Sequence, residues 1–134
     1  MRRKSIQVSV EMIVEAAGAL EQYQQALVQG DPFFLVVKND PYQDFQIETD
    51  GKNRLAVAHT YTERGQTLFD PEIVFETVGW NAVEITQSPV RRKQIAGPGR
   101  YLPGANSLAS IWAANLRHQG FADPEQSTYK VAEK

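Results

Sequence analysis

The 134-residue sequence predicts an α+β domain: an N-terminal helix, an antiparallel sheet of four or five strands in a meander, and a C-terminal helix, with the helices on one sheet face. Three observations predict it. Apolar residues recur at helical spacing near both ends, short runs rich in β-formers fill the middle, and the connections between those runs are too short for crossovers.

Residues 10–29 place Val10, Ile13, Val14, Ala17, Leu20, Gln24 and Leu27 three and four apart, with Ser9 as N-cap and Gly30 just past the last turn. Asp31-Pro32 breaks that period, and "FFLVVK" (33–38) predicts a buried strand turned by Asn39-Asp40-Pro41. "DFQIET" alternates Phe45 and Ile47 with polar neighbours, Asp50-Gly51 signals a turn, and "RLAVAHTYT" follows as a longer strand. After a turn at Arg64-Gly65, "EIVFETV" and "AVEITQ" flank Gly79-Trp80-Asn81. "VRRKQIAGPGRYLPGAN", with three glycines, two prolines and four cations, reads as a long functional or mobile loop. In "NSLASIWAANLRHQGF", Leu108, Ile111, Trp112 and Leu116 share a helical face, and Gly120 followed by Phe121 predicts a Schellman stop. Residues 1–123 then form one domain, and 124–134 a polar tail expected to fray.

A 42% hydrophobic chain of this length buries about two-thirds of its unfolded surface in one core. The absence of cysteine removes disulfides, thiolate zinc sites and cysteine nucleophiles, as expected of a cytoplasmic protein held by packing. No run approaches the roughly 20 apolar residues that span a bilayer, and Glu11 and Glu15 interrupt the N-terminal segment, so no membrane partner is expected. A net charge of −2 and a pI near 5.7 exclude a broadly cationic nucleic-acid surface while permitting a local basic patch.

Two segments carry candidate chemistry. In the first, His59, Tyr61, Asp70 and Glu72 come together or apart according to hairpin register. With Arg64-Gly65 alone as the turn, His59 stands opposite Asp70, with Glu72 on the same face. A three-residue turn ending at Gly65 shifts the pairing by one, and both carboxylates pass to the other face. Hydrophobic alternation favours the second register, which would line one buried face with Leu55, Val57, Tyr61, Phe69, Ile73 and Phe75. Pro71 cannot donate to a ladder, which implies an edge or a bulge there. Clustered, the imidazole and two carboxylates would be an incomplete divalent-ion site, suited to metal-assisted hydrolysis with Tyr61 orienting substrate. The other histidine, His118, falls in the last helical turn, where it complements the helix dipole. Asp44, Glu48, Glu72, Glu76 and Glu84 alternate along strands as on a solvated sheet face.

The second segment holds Arg91, Arg92, Lys93, Arg100 and Tyr101, where cations could grip phosphates and the ring stack on a base, although a solvated charge run has the same pattern. "GPG" lacks the strand, lysine and helix of a phosphate-binding P-loop, and Ser88 has neither a nucleophile elbow nor a visible base. No cofactor is expected.

"PYQDFQIE", "LAVAHTYTERGQTLFDPEIVFE" and "IWAANLRHQGF", in this order and spacing, resemble a family of short uncharacterised proteins encoded on bacterial conjugative elements, plasmids and phages. The most specific part is the pattern carried by His59, Tyr61, Gly65, Asp70, Pro71 and Glu72. The chain departs from that family after the sheet, where members have a Tyr-Gln segment followed by Gly-x-Tyr. The resemblance implies an accessory gene of mobile DNA and carries over no catalytic residue. The expectation is a non-enzymatic binding or regulatory module acting on a protein partner. The alternatives are the metal-assisted hydrolase and a weak nucleic-acid accessory using 91–101.

Overall fold

The computed structural model describes residues 3–87 and 92–132, and of Arg92 the backbone alone. The elements run α1 (Ser5–Ala16), α2 (Leu20–Gln29), β1 (Phe34–Lys38), β2 (Asp44–Thr49), β3 (Arg54–Glu63), β4 (Gln66–Glu76), β5 (Asn81–Gln87), β6 (Arg92–Ile95), α3 (Pro103–Gln119) and β7 (Thr128–Ala132). The sheet is antiparallel throughout, in the order β6-β5-β4-β3-β2-β1-β7. The meander holds from β1 to β6, but there are seven described strands where four or five were expected.

Both additional strands lie in segments read as irregular. Arg92–Ile95, inside the expected loop, pairs with β5 (Lys93 opposite Thr86), and Thr128–Ala132, in the expected frayed tail, pairs with all of β1. The second pairing is anchored from within: Ser127 is buried and donates to the Gly120 carbonyl at 2.8 Å, and the Tyr129 hydroxyl donates to Phe121 O at 2.8 Å.

The expected helix 10–29 is two helices. Gly18 takes the left-handed φ of 74° between them, so the helical period restarts in a new direction. Val10, Ile13 and Val14 are buried as predicted, whereas in the second helix Tyr23 and Ala26 go inward and Gln24 is exposed. Ser9 is no cap: it is buried inside α1 and its hydroxyl donates to Ala113 O on α3 at 2.8 Å. Ala105, Ala109 and Ala113 line the buried face of α3 with Trp112 and Leu116, while Ile111, expected inside, is 63% exposed. The Schellman stop forms, with Gly120 at φ 93° and bonds from Phe121 N to Leu116 O (3.1 Å) and Gly120 N to Arg117 O (3.3 Å).

All three helices pack on one sheet face, as expected. Register places Leu35, Ile47, Val57, Ile73 and Ile85 in one row across the sheet, and these join α1, α2 and α3 residues in a single core. Two further joints close it. Thr49 Oγ1 donates to Asp31 O at 2.8 Å and accepts from Phe33 N at 2.9 Å, tying β2 to the entry of β1. Asn106 Oδ1 accepts from Ala82 N at 2.7 Å, pinning the start of α3 to β5. Among the described residues no helix is long and apolar enough to cross a membrane.

Candidate functional site

The β3–β4 hairpin decides where the first candidate residues go. Arg64 (φ 52°) and Gly65 (φ 78°) form a two-residue turn of the type that matches strand twist. Beyond it Glu63 pairs with Gln66, Tyr61 with Leu68 and Thr60 with Phe69. The register then slips, so that Ala58 pairs with Glu72 and Val57 with Ile73. Asp70 and Pro71 together stand opposite His59 in this bulge, at the proline whose missing N–H implied one. The two-residue turn therefore holds, and past the bulge the pairing is neither of the two registers open to the sequence, although it puts Leu55, Val57, Ile73 and Phe75 on one face as the three-residue turn would have. Phe69 shares the face of Thr60 and not that of Ile73, which corrects its expected place in the buried row.

His59 continues the row of Val37 and Phe45 on the helix-covered face. Its ring centroid lies 5.4 Å from Phe45, 5.3 Å from Trp112 and 5.4 Å from Phe121. Burial lowers its pKa below the usual 6.5, against weaker upward pulls from the Asp44 and Gln43 backbone carbonyls, and Nδ1 lies 3.4 Å from Asp44 O. A shallow pocket of about 320 Å³ reaches it between Pro41, Tyr42, Gln43 and Gln119. The imidazole is thus a neutral ring in an aromatic wall.

Glu72 lies on the opposite, helix-free face, in the row Val36, Gln46, Ala58, Glu72, Thr86, Lys93. The adjacent row is Phe34, Glu48, Ala56, Val74, Glu84, Ile95. Ala58 and Val74 are buried here without belonging to the main core. The Glu84 side chain is only 18% exposed; it accepts from Arg54 Nη2 at 2.5 Å and lies 3.3 Å from Lys93 Nζ. Glu72 is half-buried, and its pKa is raised first by burial and then by Glu48, with smaller upward contributions from Asp50 and Glu84 opposed by Lys93.

The hydrolase set is therefore not assembled: His59 and Glu72 point to opposite sides of the sheet, and no group of three His, Cys, Asp or Glu suited to a metal ion occurs among the described residues. Tyr61 pairs with Leu68 beyond the bulge, and Asp70 stands within it. Of the basic segment, Arg91 lies outside the described residues, as does Ser88. Lys93 is drawn to Glu84 on the sheet, whereas Arg100 and Tyr101 are exposed past the 97–99 turn, so the described members do not form one phosphate grip. His118 is exposed in the last turn of α3, as expected.

What the residue reading missed is the extent of the open face. Glu48, Glu72 and Glu84 were read as solvated carboxylates, yet all three are partly withdrawn from water. The signal available was the alternation of small side chains, Ala56, Ala58 and Thr60, along the central strand.

Helices confined to one face of an antiparallel sheet, with half-buried carboxylates and small apolar side chains on the other, define an α+β domain with one free broad surface. The chain belongs to the family described as a domain of unknown function (DUF6908), whose model matches residues 9–122. No curated protein and no solved structure matches it.

Proposed function

We propose that the protein is a non-enzymatic binding module, an accessory or regulatory protein whose helix-free sheet face docks a protein partner. One observation carries this reading: Phe34, Val36, Ala56, Val74 and Ile95 share that face with Glu48, Glu72 and Glu84, and no described helix packs over them. Glu72 is held half out of water on that face beside small apolar side chains, and a sheet face serving only as a solvated exterior has no need of that arrangement, since desolvated charge is costly. The genetic setting proposed is a bacterial mobile element, supported by the resemblance carried by His59, Tyr61, Gly65, Asp70, Pro71 and Glu72. The proposed location is the cytoplasm, supported by the cysteine-free composition.

Photo-crosslinking tests the reading. A benzoylphenylalanine at Ala56 or Val74, and another at the exposed Ile111 of α3, are expressed in a host carrying the native element. The sheet positions should yield a discrete heterologous adduct and the helix position none. Adducts from Ile111 alone, or the same adducts from all three positions, would contradict it.

A further inference from the structure

On the helix-covered side, where the start of α1 and the first turns of α3 meet the turn before β5, a cavity of about 380 Å³ opens to the surface. That volume falls within the range of small-molecule pockets, roughly 300–1,000 Å³. The buried Ile6, Phe75, Trp80 and Ala109 form an apolar floor, and the exposed Lys4, Ser107 and Ser110 stand at the rim. Trp80 reaches the floor through a left-handed backbone, φ 53°, which bulky residues rarely adopt, and its ring lies 5.6 Å from that of Phe75. Two cations meet here on neutral partners. The Lys4 ammonium donates to Asn81 Oδ1 at 2.7 Å; Asn106 Nδ2 donates to the same oxygen at 3.1 Å, and Asn106 Oδ1 accepts from Ala82 N at 2.7 Å, so a chain of amides anchored on β5 positions the charge. One residue on, Ser5 Oγ accepts from Arg117 Nη2 at 2.9 Å. Among the described residues neither Lys4 nor Arg117 forms an ion pair and no Asp or Glu lines the cavity, while Arg3, also at the rim, is turned to Glu11.

We propose that this cavity binds a small organic anion, with an aromatic body on the floor made by Ile6, Trp80 and Ala109 and a carboxylate or phosphate head at the Lys4 ammonium. An ammonium has three donors and Asn81 takes one, which leaves two for the oxygens of the head. Ser5 accepts from Arg117 and keeps its own hydroxyl proton to donate. The apolar floor gives a flat ring its contact area, and the charge-assisted bonds at the rim fix its orientation. The cavity lies across the sheet from the proposed docking face, so neither reading rests on the other.

The test titrates the full chain with naphthoate, naphthyl phosphate and the neutral naphthylmethanol, following amide and indole N–H shifts by NMR. At least one of the two anions should bind saturably, with shifts centred on Lys4, Ile6, Ser110 and the Trp80 indole, and the tighter of the two identifies the head group. Naphthylmethanol should bind at least about tenfold more weakly, and Lys4→Gln should weaken the anions at least about fivefold, as loss of a charge-assisted contact does, without changing affinity for naphthylmethanol. Lys52→Gln in the β2–β3 turn removes the same charge away from the cavity and should leave every affinity unchanged; melting curves confirm that both variants fold. Equal binding of naphthylmethanol and the anions, or a Lys4→Gln effect no larger than that of Lys52→Gln, would remove the anion from the proposal and so overturn it. Shifts centred elsewhere, or no saturable shift from either anion, would overturn the site itself.

Discussion

His59 illustrates how a residue suggestive of catalysis becomes part of a wall. Its ring touches the aromatic side chains of Phe45, Trp112 and Phe121, so it joins β3 to α3 and to the segment after it, and burial holds it neutral. The pH dependence follows from that. Above the ordinary value of 6.5 the ring is neutral in both folded and unfolded chains and contributes no slope. As pH falls below 6.5 the unfolded chain takes up the proton first, because the folded pKa is lower, so stability declines until the folded ring also protonates. Urea unfolding between about pH 7.5 and 5 should show this decline in the wild type, with the His59 share absent in His59→Phe. A wild type that gains stability over His59→Phe in acid would instead mark an imidazolium held by an anion. The residue pattern named His59 and Glu72, and hydrophobic alternation favoured their separation, which the structure achieves by a single slipped residue at Pro71. The two-residue turn was legible, and so was the proline's demand for a bulge, but the direction of the slip past the bulge was not.

Elements were legible where local pattern and tertiary packing agree. The β1 to β5 segments follow from alternation and turn residues, and the stop of α3 from Gly120 and Phe121. By contrast β7 pairs with β1 across most of the chain length, and Thr128–Ala132 carries too little alternation to announce a partner so distant. The Arg92–Ile95 strand was hidden by its charges and by the Gly-Pro-Gly that follows. On α3 the large apolar residues were read as the buried stripe, whereas Ala105, Ala109 and Ala113 occupy it because close approach to α1, fixed by the Ser9 to Ala113 bond, leaves room only for small side chains. Trp112, 6% exposed and edge-on to Phe45, fills the gap beside them. Trp112→Ala should therefore cost about 3–5 kcal/mol, and Ile111→Ala no more than about 0.5 kcal/mol. Denaturant titrations compare the two directly, and equal costs would contradict this packing.

For the whole molecule, one sheet divides two environments. On the covered side a single core of helix and strand residues fixes the fold, and on the other side half-buried carboxylates lie among small apolar residues, with Arg54 and Lys93 drawn to Glu84. Composition indicated neither arrangement, since a net charge of −2 says nothing of where charge collects. The separation of His59 from Glu72 argues against a metal site shared between them and underlies the proposal that the open face binds a partner. Cross-strand proton–proton contacts in solution NMR measure that separation directly. Contacts of Thr60 with Phe69 and of Ala58 with Glu72, with Asp70 and Pro71 both opposite His59, are the expected result. An unbroken ladder, with His59 paired to Asp70 alone and Val57 to Glu72, would place imidazole and carboxylates on one face and contradict it.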